Sequence, residues 1–212
     1  MRRYRIKALI VSLLLFQAWN YSCTGRKEYT KKEYSRWIND PTHGLIAERQ
    51  VNDLKLTVKY LPPEYLASRE SQGLSQSAKD SLTKIYSESK TFLLTIGPSG
   101  KEEKKGDLMF RNISNYQQYK ERSYAMNFEM EDYVSLSAEN EIYRPVLFTL
   151  ENTYGLEEGR SVYLVFNDEK KGEKLNTAKE LDIVFNDELF ETGLSHFTFS
   201  KKDIDRLPHL IF

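Results

Sequence analysis

Residues 181–200 read Leu-Asp-Ile-Val-Phe-Asn-Asp-Glu-Leu-Phe-Glu-Thr-Gly-Leu-Ser-His-Phe-Thr-Phe-Ser. Leu181, Ile183 and Phe185 occupy alternate positions, as do Phe197 and Phe199, and a run rich in Asn, Asp, Glu and Gly lies between the two sets. Successive side chains of a strand point to opposite faces, so this spacing predicts two short strands, Leu181–Phe185 and Leu194–Ser200, each with a buried face. The same rhythm extends upstream through Pro145–Glu151 and Ser161–Phe166. It begins at Phe128, from which Met130, Val134, Leu136 and Ala138 alternate with polar residues apart from a break at Asp132. Short strands at this spacing predict an antiparallel sandwich or curled sheet, with Val146, Phe148, Leu150, Leu164, Phe166, Ile183, Phe185, Phe197 and Phe199 in its core.

The N-terminal half mixes periods. Leu45–Val51 and Leu54–Tyr60 flank Asn52-Asp53, a two-residue loop of turn-forming types, and predict a β-hairpin. Pro62-Pro63 ends it, ahead of a short helical turn over Glu64–Arg69. Ala78, Leu82, Ile85 and Tyr86 have the spacing of one helix face, with Ser77 and Asp80 placed as a capping box. Thr91–Ile96 is a continuous apolar run expected as a buried strand, and Gly97–Gly106 a charged loop. Ser114 is expected to cap a helix reaching about Ala125, and Ser200 to Asp203 to start a last short one. Tyr34, Trp37 and Ile38 form a helical stripe that Pro41 ends; so short a stripe is expected to pack on the domain rather than lie on lipid headgroups. The fold class is therefore α+β, a mixed N-terminal half with two or three helices and a strand-rich antiparallel, sandwich-like C-terminal half. No Pro, Gly or Ser linker divides residues 45–212, which read as a single globular domain.

At the amino terminus, Arg2, Arg3, Arg5 and Lys7 precede an apolar run, Ala8–Ala18, and Asn20-Tyr21-Ser22-Cys23 closes it. A basic segment, an apolar core and a polar end are the layout of a secretory signal peptide. The run is too short for a spanning helix, which needs about 20 residues. A small residue directly before Cys resembles the lipobox of bacterial lipoproteins, with Asn20 where that family usually has Leu. The resemblance implies a signal peptide over 1–22, a diacylglycerol on Cys23 and a tether over 23–44. An ordinary signal peptide cut after Ala18 is the alternative. With Thr24 rather than Asp after the Cys, the resemblance implies an outer-membrane address in a Gram-negative envelope, facing the periplasm. It covers this segment alone and implies nothing about activity.

Removing residues 1–22 leaves 27 basic against 31 acidic residues. Such a mildly acidic body argues against nucleic acid, whose phosphates need a concentrated basic face. Cys23 is the sole cysteine, so no internal disulfide forms. Val-Phe-Asn-Asp-Glu occurs at 165–169 and again at 184–188. Asp168, Glu169, Asp187 and Glu188 are thus candidate oxygen ligands for Ca²⁺, but the plainer expectation is two neighbouring strands, each running into an Asx-favoured turn. His43, His196 and His209 lack metal-ligand spacing, and Gly97-Pro98-Ser99-Gly100 is neither a nucleophile elbow nor a phosphate loop. No catalytic residue, metal or cofactor is expected. The sequence supports a lipid-anchored, non-enzymatic envelope protein that binds another envelope protein. A periplasmic hydrolase working through carboxylates and a surface glycan-binding module are the alternatives.

Overall fold

The computed structural model describes residues 27–100, 106–153, 157–168 and 174–212. In chain order its first elements are β1 (Glu28–Tyr29), α1 (Lys31–Ile38), β2 (Ile46–Val51), β3 (Leu54–Leu61), α2 (Pro63–Glu70), α3 (Gln76–Ser87) and β4 (Ser89–Pro98). Then come α4 (Tyr116–Phe128), α5 (Met130–Tyr133), β5 (Val134–Ala138), β6 (Glu141–Tyr143), β7 (Leu147–Leu150) and β8 (Arg160–Asn167). The chain finishes with α6 (Lys174–Thr177), β9 (Glu180–Asp187), β10 (Gly193–Ser200), α7 (Lys201–Ile204) and β11 (His209–Leu210).

The strands build two antiparallel sheets, one in the order β2-β3-β4-β8-β7 and the other β10-β9-β5-β6. A small parallel ribbon joins β1 to β11. The alternation that predicted strands also sets the inner faces. Leu54, Leu56, Val58 and Tyr60 of β3 are buried, as are Phe92, Leu94 and Ile96 of β4 and Val162, Leu164 and Phe166 of β8. Ile183 and Phe185 of β9 and Phe197 and Phe199 of β10 supply the facing layer. The sheets meet at Phe92, whose ring lies 6.0 Å from Phe166 in its own sheet and 5.2 Å from Phe199 in the other. The α+β class and the sandwich-like, antiparallel arrangement are as the sequence predicts. The first sheet nevertheless takes β2, β3 and β4 from the N-terminal half and β7 and β8 from the C-terminal half.

The hairpin β2–β3 turns at Asn52, whose φ of 55° suits a tight turn. Tyr34 and Ile38 of α1 are fully buried, so its stripe packs on the domain, and packed structure reaches N-terminally beyond residue 45. Ser200 caps α7 by accepting the Asp203 N–H at 3.1 Å.

Several local expectations need correction. α3 and α4 are capped by Ser75 and Asn115, through the N–H groups of Ala78 and Gln118, rather than by Ser77 and Ser114. Ile85, placed on the buried stripe of α3, is 61% exposed. Helix α4 runs on to Phe128, and β structure begins at Val134, because the alternating Phe128 and Met130 belong to α4 and α5. Val146 is exposed rather than in the core, since β7 starts one residue later and is an edge strand paired only with β8; Phe148 and Leu150 are half-buried. The loop expected over Gly97–Gly106 lies partly outside the described residues, as 101–105 are not among them.

The sandwich has two distinguishable ends. At the terminal end, α7 follows β10, its first N–H reaches the Lys179 carbonyl before β9 (2.8 Å), and Asp203 closes against Gly44. Gly44 has φ 75°, and a Cβ there would sit 2.7 Å from the Asp203 carboxylate, so both conformation and space require glycine. α1 and the β1–β11 ribbon lie at this end, α1 being tied to α2 by the Lys31 ammonium on the Ser68 carbonyl (2.7 Å). At the turn end lie the Asn52-Asp53 turn, the end of β4, the start of β8 and the 188–192 loop between β9 and β10.

Lys59 of β3 is half-buried, with its ammonium 2.5 Å from Asn39 Oδ1 and 5.5 Å from the Tyr65 ring centroid. Burial pulls its pKa down from 10.5 to about 8. Between those values the unfolded chain holds a proton that the folded one has lost, so this group makes stability rise with pH through that window. Urea midpoints at pH 7 and pH 9.5 should show the rise in the wild type and a smaller one in Lys59→Met.

Candidate interaction surface

A single arginine seats helix α4. Nη1 of Arg122 donates to the carbonyls of Leu108 (3.4 Å), Met109 (3.1 Å) and Arg111 (2.7 Å). Its guanidinium lies 4.8 Å from the ring centroid of Phe190, in the β9–β10 loop. Ala125 and Met126 are buried beneath the helix. These contacts fix α4 at the turn end of the sandwich.

Its outer surface is aromatic. Tyr116 is 73% exposed, Phe128 64%, Phe110 60% and Tyr124 56%. Half-buried Tyr119 stacks on Phe110 at 4.9 Å and on Tyr116 at 5.9 Å, with interplanar angles of 14° and 17°. Tyr124 and Phe128 form a second, tilted pair at 5.1 Å. Polar side chains, among them Gln117, Lys120, Ser123 and Asn127, share a surface hollow of about 430 Å³ with these rings. Edge strand β7 packs beside α4. Lone exposed apolar side chains are ordinary, whereas a contiguous patch marks an interaction site. Tyr and Phe suit such surfaces because they combine a large contact area with few rotatable bonds.

A second hollow of about 430 Å³ opens beside it, lined by Asp53, Pro98, Asp107, Phe110 and Arg111 among others. Glu158 also lines it, and most of its other charged side chains are paired. Arg111 grips Asp53 with two bonds of 2.6 and 2.5 Å, and Arg160 pairs with Asp107. These pairs fasten the segment before α4 to the sandwich.

The repeated pentapeptides do not converge. β8 and β9 belong to different sheets, so they are not neighbouring strands. Asp187 is 1% exposed and folds its own loop: Oδ1 accepts the N–H groups of Leu189 and Phe190 (both 3.0 Å), and Oδ2 accepts the N–H of Thr192 (3.1 Å) and its hydroxyl (2.5 Å). Asp168 accepts the Leu175 N–H at 3.1 Å, and Glu188 is exposed. Glu169 and Cys23 lie outside the described residues. Among the described residues, no three His, Cys, Asp or Glu side chains stand close enough to hold a metal ion. The histidines are scattered: His43 stacks on Trp37 at 4.0 Å, exposed His196 lies 2.7 Å from Asp182 Oδ2, and His209 is in β11.

Sequence reasoning missed the aromatic face. The alternating pattern at Phe128 and Met130 resembles a strand, and the rings that the sequence places in the core are those at alternate positions of strand patterns. The signal was present as Tyr116, Tyr119 and Tyr124 with Phe128 in one helical segment, more rings than a single buried stripe would hold.

No family model matches this chain, and no curated protein is similar to it. Among solved structures it is similar to a novel protein of unknown function from Burkholderia pseudomallei, at 11% identity and a TM-score of 0.37, over 84% of this chain and 89% of that one. Among the described residues, no helix is long and apolar enough to cross a membrane.

Proposed function

We propose that this protein is an envelope lipoprotein, anchored through a lipid on Cys23, whose α+β domain docks another envelope protein on the aromatic face of α4. The observation that carries the docking reading is the exposed cluster of Tyr116, Tyr124 and Phe128 on one rigidly seated helix, with exposed Phe110 from the preceding turn stacked on its Tyr119. The layout of residues 1–23 supports the anchor, and Thr24 supports an outer-membrane address facing the periplasm. The role is structural or accessory rather than enzymatic. A glycan is the second reading, favoured by one feature: exposed Phe110 and Tyr116, stacked on either side of Tyr119, are aromatic rings on which a sugar face can stack.

The test uses the full, lipidated chain as bait in detergent-solubilised envelope. The wild type should retain a stoichiometric protein partner. Interface aromatics commonly contribute 2 kcal/mol or more, so Tyr116→Ser with Phe128→Ser should weaken capture by roughly tenfold or more. Both side chains are exposed, so the thermal midpoint should stay near that of the wild type. Equal capture by the variant sinks the docking reading. Loss of binding to envelope polysaccharide, with no protein partner found, moves the assignment to the glycan.

A further inference from the structure

The chain enters the fold at the terminal end. The Lys27 carbonyl accepts the His209 N–H and the Tyr29 carbonyl the Ile211 N–H, both at 2.9 Å, so the entry point is pinned by the β1–β11 ribbon. Only Thr24, Gly25, Arg26 and Lys27 separate Cys23 from β1. Four residues span at most about 14 Å even when fully extended. A lipid on Cys23 therefore holds the terminal end against the headgroups and leaves little freedom to turn another face toward them.

Charge favours the same orientation. Residues 24–38 carry five basic side chains against two acidic ones, whereas residues 39–212 carry 22 against 29. Lys27, Lys31, Lys32 and Arg36 are all exposed, and α7 adds exposed Lys202 at this end. Basic side chains close to a lipid surface are drawn to anionic headgroups, an attraction that fades over a Debye length of about 8 Å at physiological salt. The turn end lies the length of β9 away, eight residues at about 3.3–3.4 Å each, outside that range.

We propose that the terminal end, built from α1, α7 and the β1–β11 ribbon, is a membrane-apposed surface that rests on anionic lipid and holds the aromatic face of α4 outward. The proposal rests on the lipid anchor at Cys23. It gives the docking surface a direction: the partner of α4 approaches from the side away from the anchoring membrane.

The sole native cysteine carries the lipid, so an introduced cysteine provides the one free thiol for a donor fluorophore. Ile211→Cys labels the terminal end and Gln117→Cys labels α4; both positions are exposed. The full lipidated chains are placed in vesicles of phosphatidylethanolamine and phosphatidylglycerol that carry a headgroup acceptor. Energy transfer should be severalfold stronger from position 211 than from position 117. Lys27→Glu with Lys32→Glu should narrow the difference, as should vesicles of phosphatidylcholine alone. Equal transfer from a lipidated protein, or stronger transfer from position 117, overturns the orientation and leaves the anchor standing. An unmodified Cys23 by mass spectrometry, with protein that does not float with vesicles, overturns the anchor and the orientation together.

Discussion

Phe185→Ala will lower the urea midpoint sharply, at a cost of about 3–5 kcal/mol, the usual range for emptying a buried phenylalanine site. Phe185 is fully buried in β9, a central strand that pairs with β5 on one side and β10 on the other. Its partners across the ladders are Val134 and Ser195, both nearly or fully buried. No internal disulfide backs up the core. A loss of that size is a large share of the roughly 5–15 kcal/mol that holds an ordinary domain together. Val184, one residue earlier, points to the opposite face, opposite exposed His196, and is only half-buried. Val184→Ala should cost about 1 kcal/mol, near the centre of the range for point substitutions. The slopes of the two transitions should match the wild type, so that midpoints report stability directly. Equal costs would mean that the outer face of β9 is as dry as its inner face. A larger cost at Val184 would overturn the strand's register.

Asp187→Ala is expected to be nearly as damaging, although the residue is charged and sits beside a loop. Its carboxylate is the acceptor for three backbone N–H groups and one hydroxyl of the 188–192 loop. Removing it strands those donors, of which the N–H groups of Phe190 and Thr192 are buried, and each unsatisfied buried donor costs about 1–3 kcal/mol. Because the four bonds share one side chain their losses do not simply add, and a total of about 3–5 kcal/mol is expected, as for breaking a buried charged network. The loop carries Phe190, on which Arg122 rests, so the variant should also loosen α4. Faster proteolysis within residues 116–128, at a temperature where the sheets stay folded, is the readout. EDTA should leave the wild-type midpoint unchanged, because the carboxylate already has its partners in the protein. A drop with EDTA that Ca²⁺ restores would instead make Asp187 a metal ligand.

The sequence by itself determined whatever depends on neighbours along the chain. The two-residue period placed β3, β8, β9 and β10 with the correct inward faces, because side-chain direction in a strand follows from position alone. Asn52-Asp53 marked the hairpin, and Ser200 marked the start of α7, through bonds that close within three residues. The address proposed from Cys23 rests on the sequence only. Tertiary structure decided what depends on which strands meet. Val-Phe-Asn-Asp looks the same in β8 and β9, yet those strands join different sheets; Asp187 is the buried acceptor of its own loop, while Asp168 accepts the N–H of Leu175. Val146 has the character of a core residue, but β7 is an edge strand that begins after it. The aromatic face of α4 could not be read from composition, since a ring's hydrophobicity is the same whether a sheet covers it or solvent does. Its exposure was set by Arg122, which fastens the helix through the opposite side and leaves Tyr116, Tyr124 and Phe128 exposed.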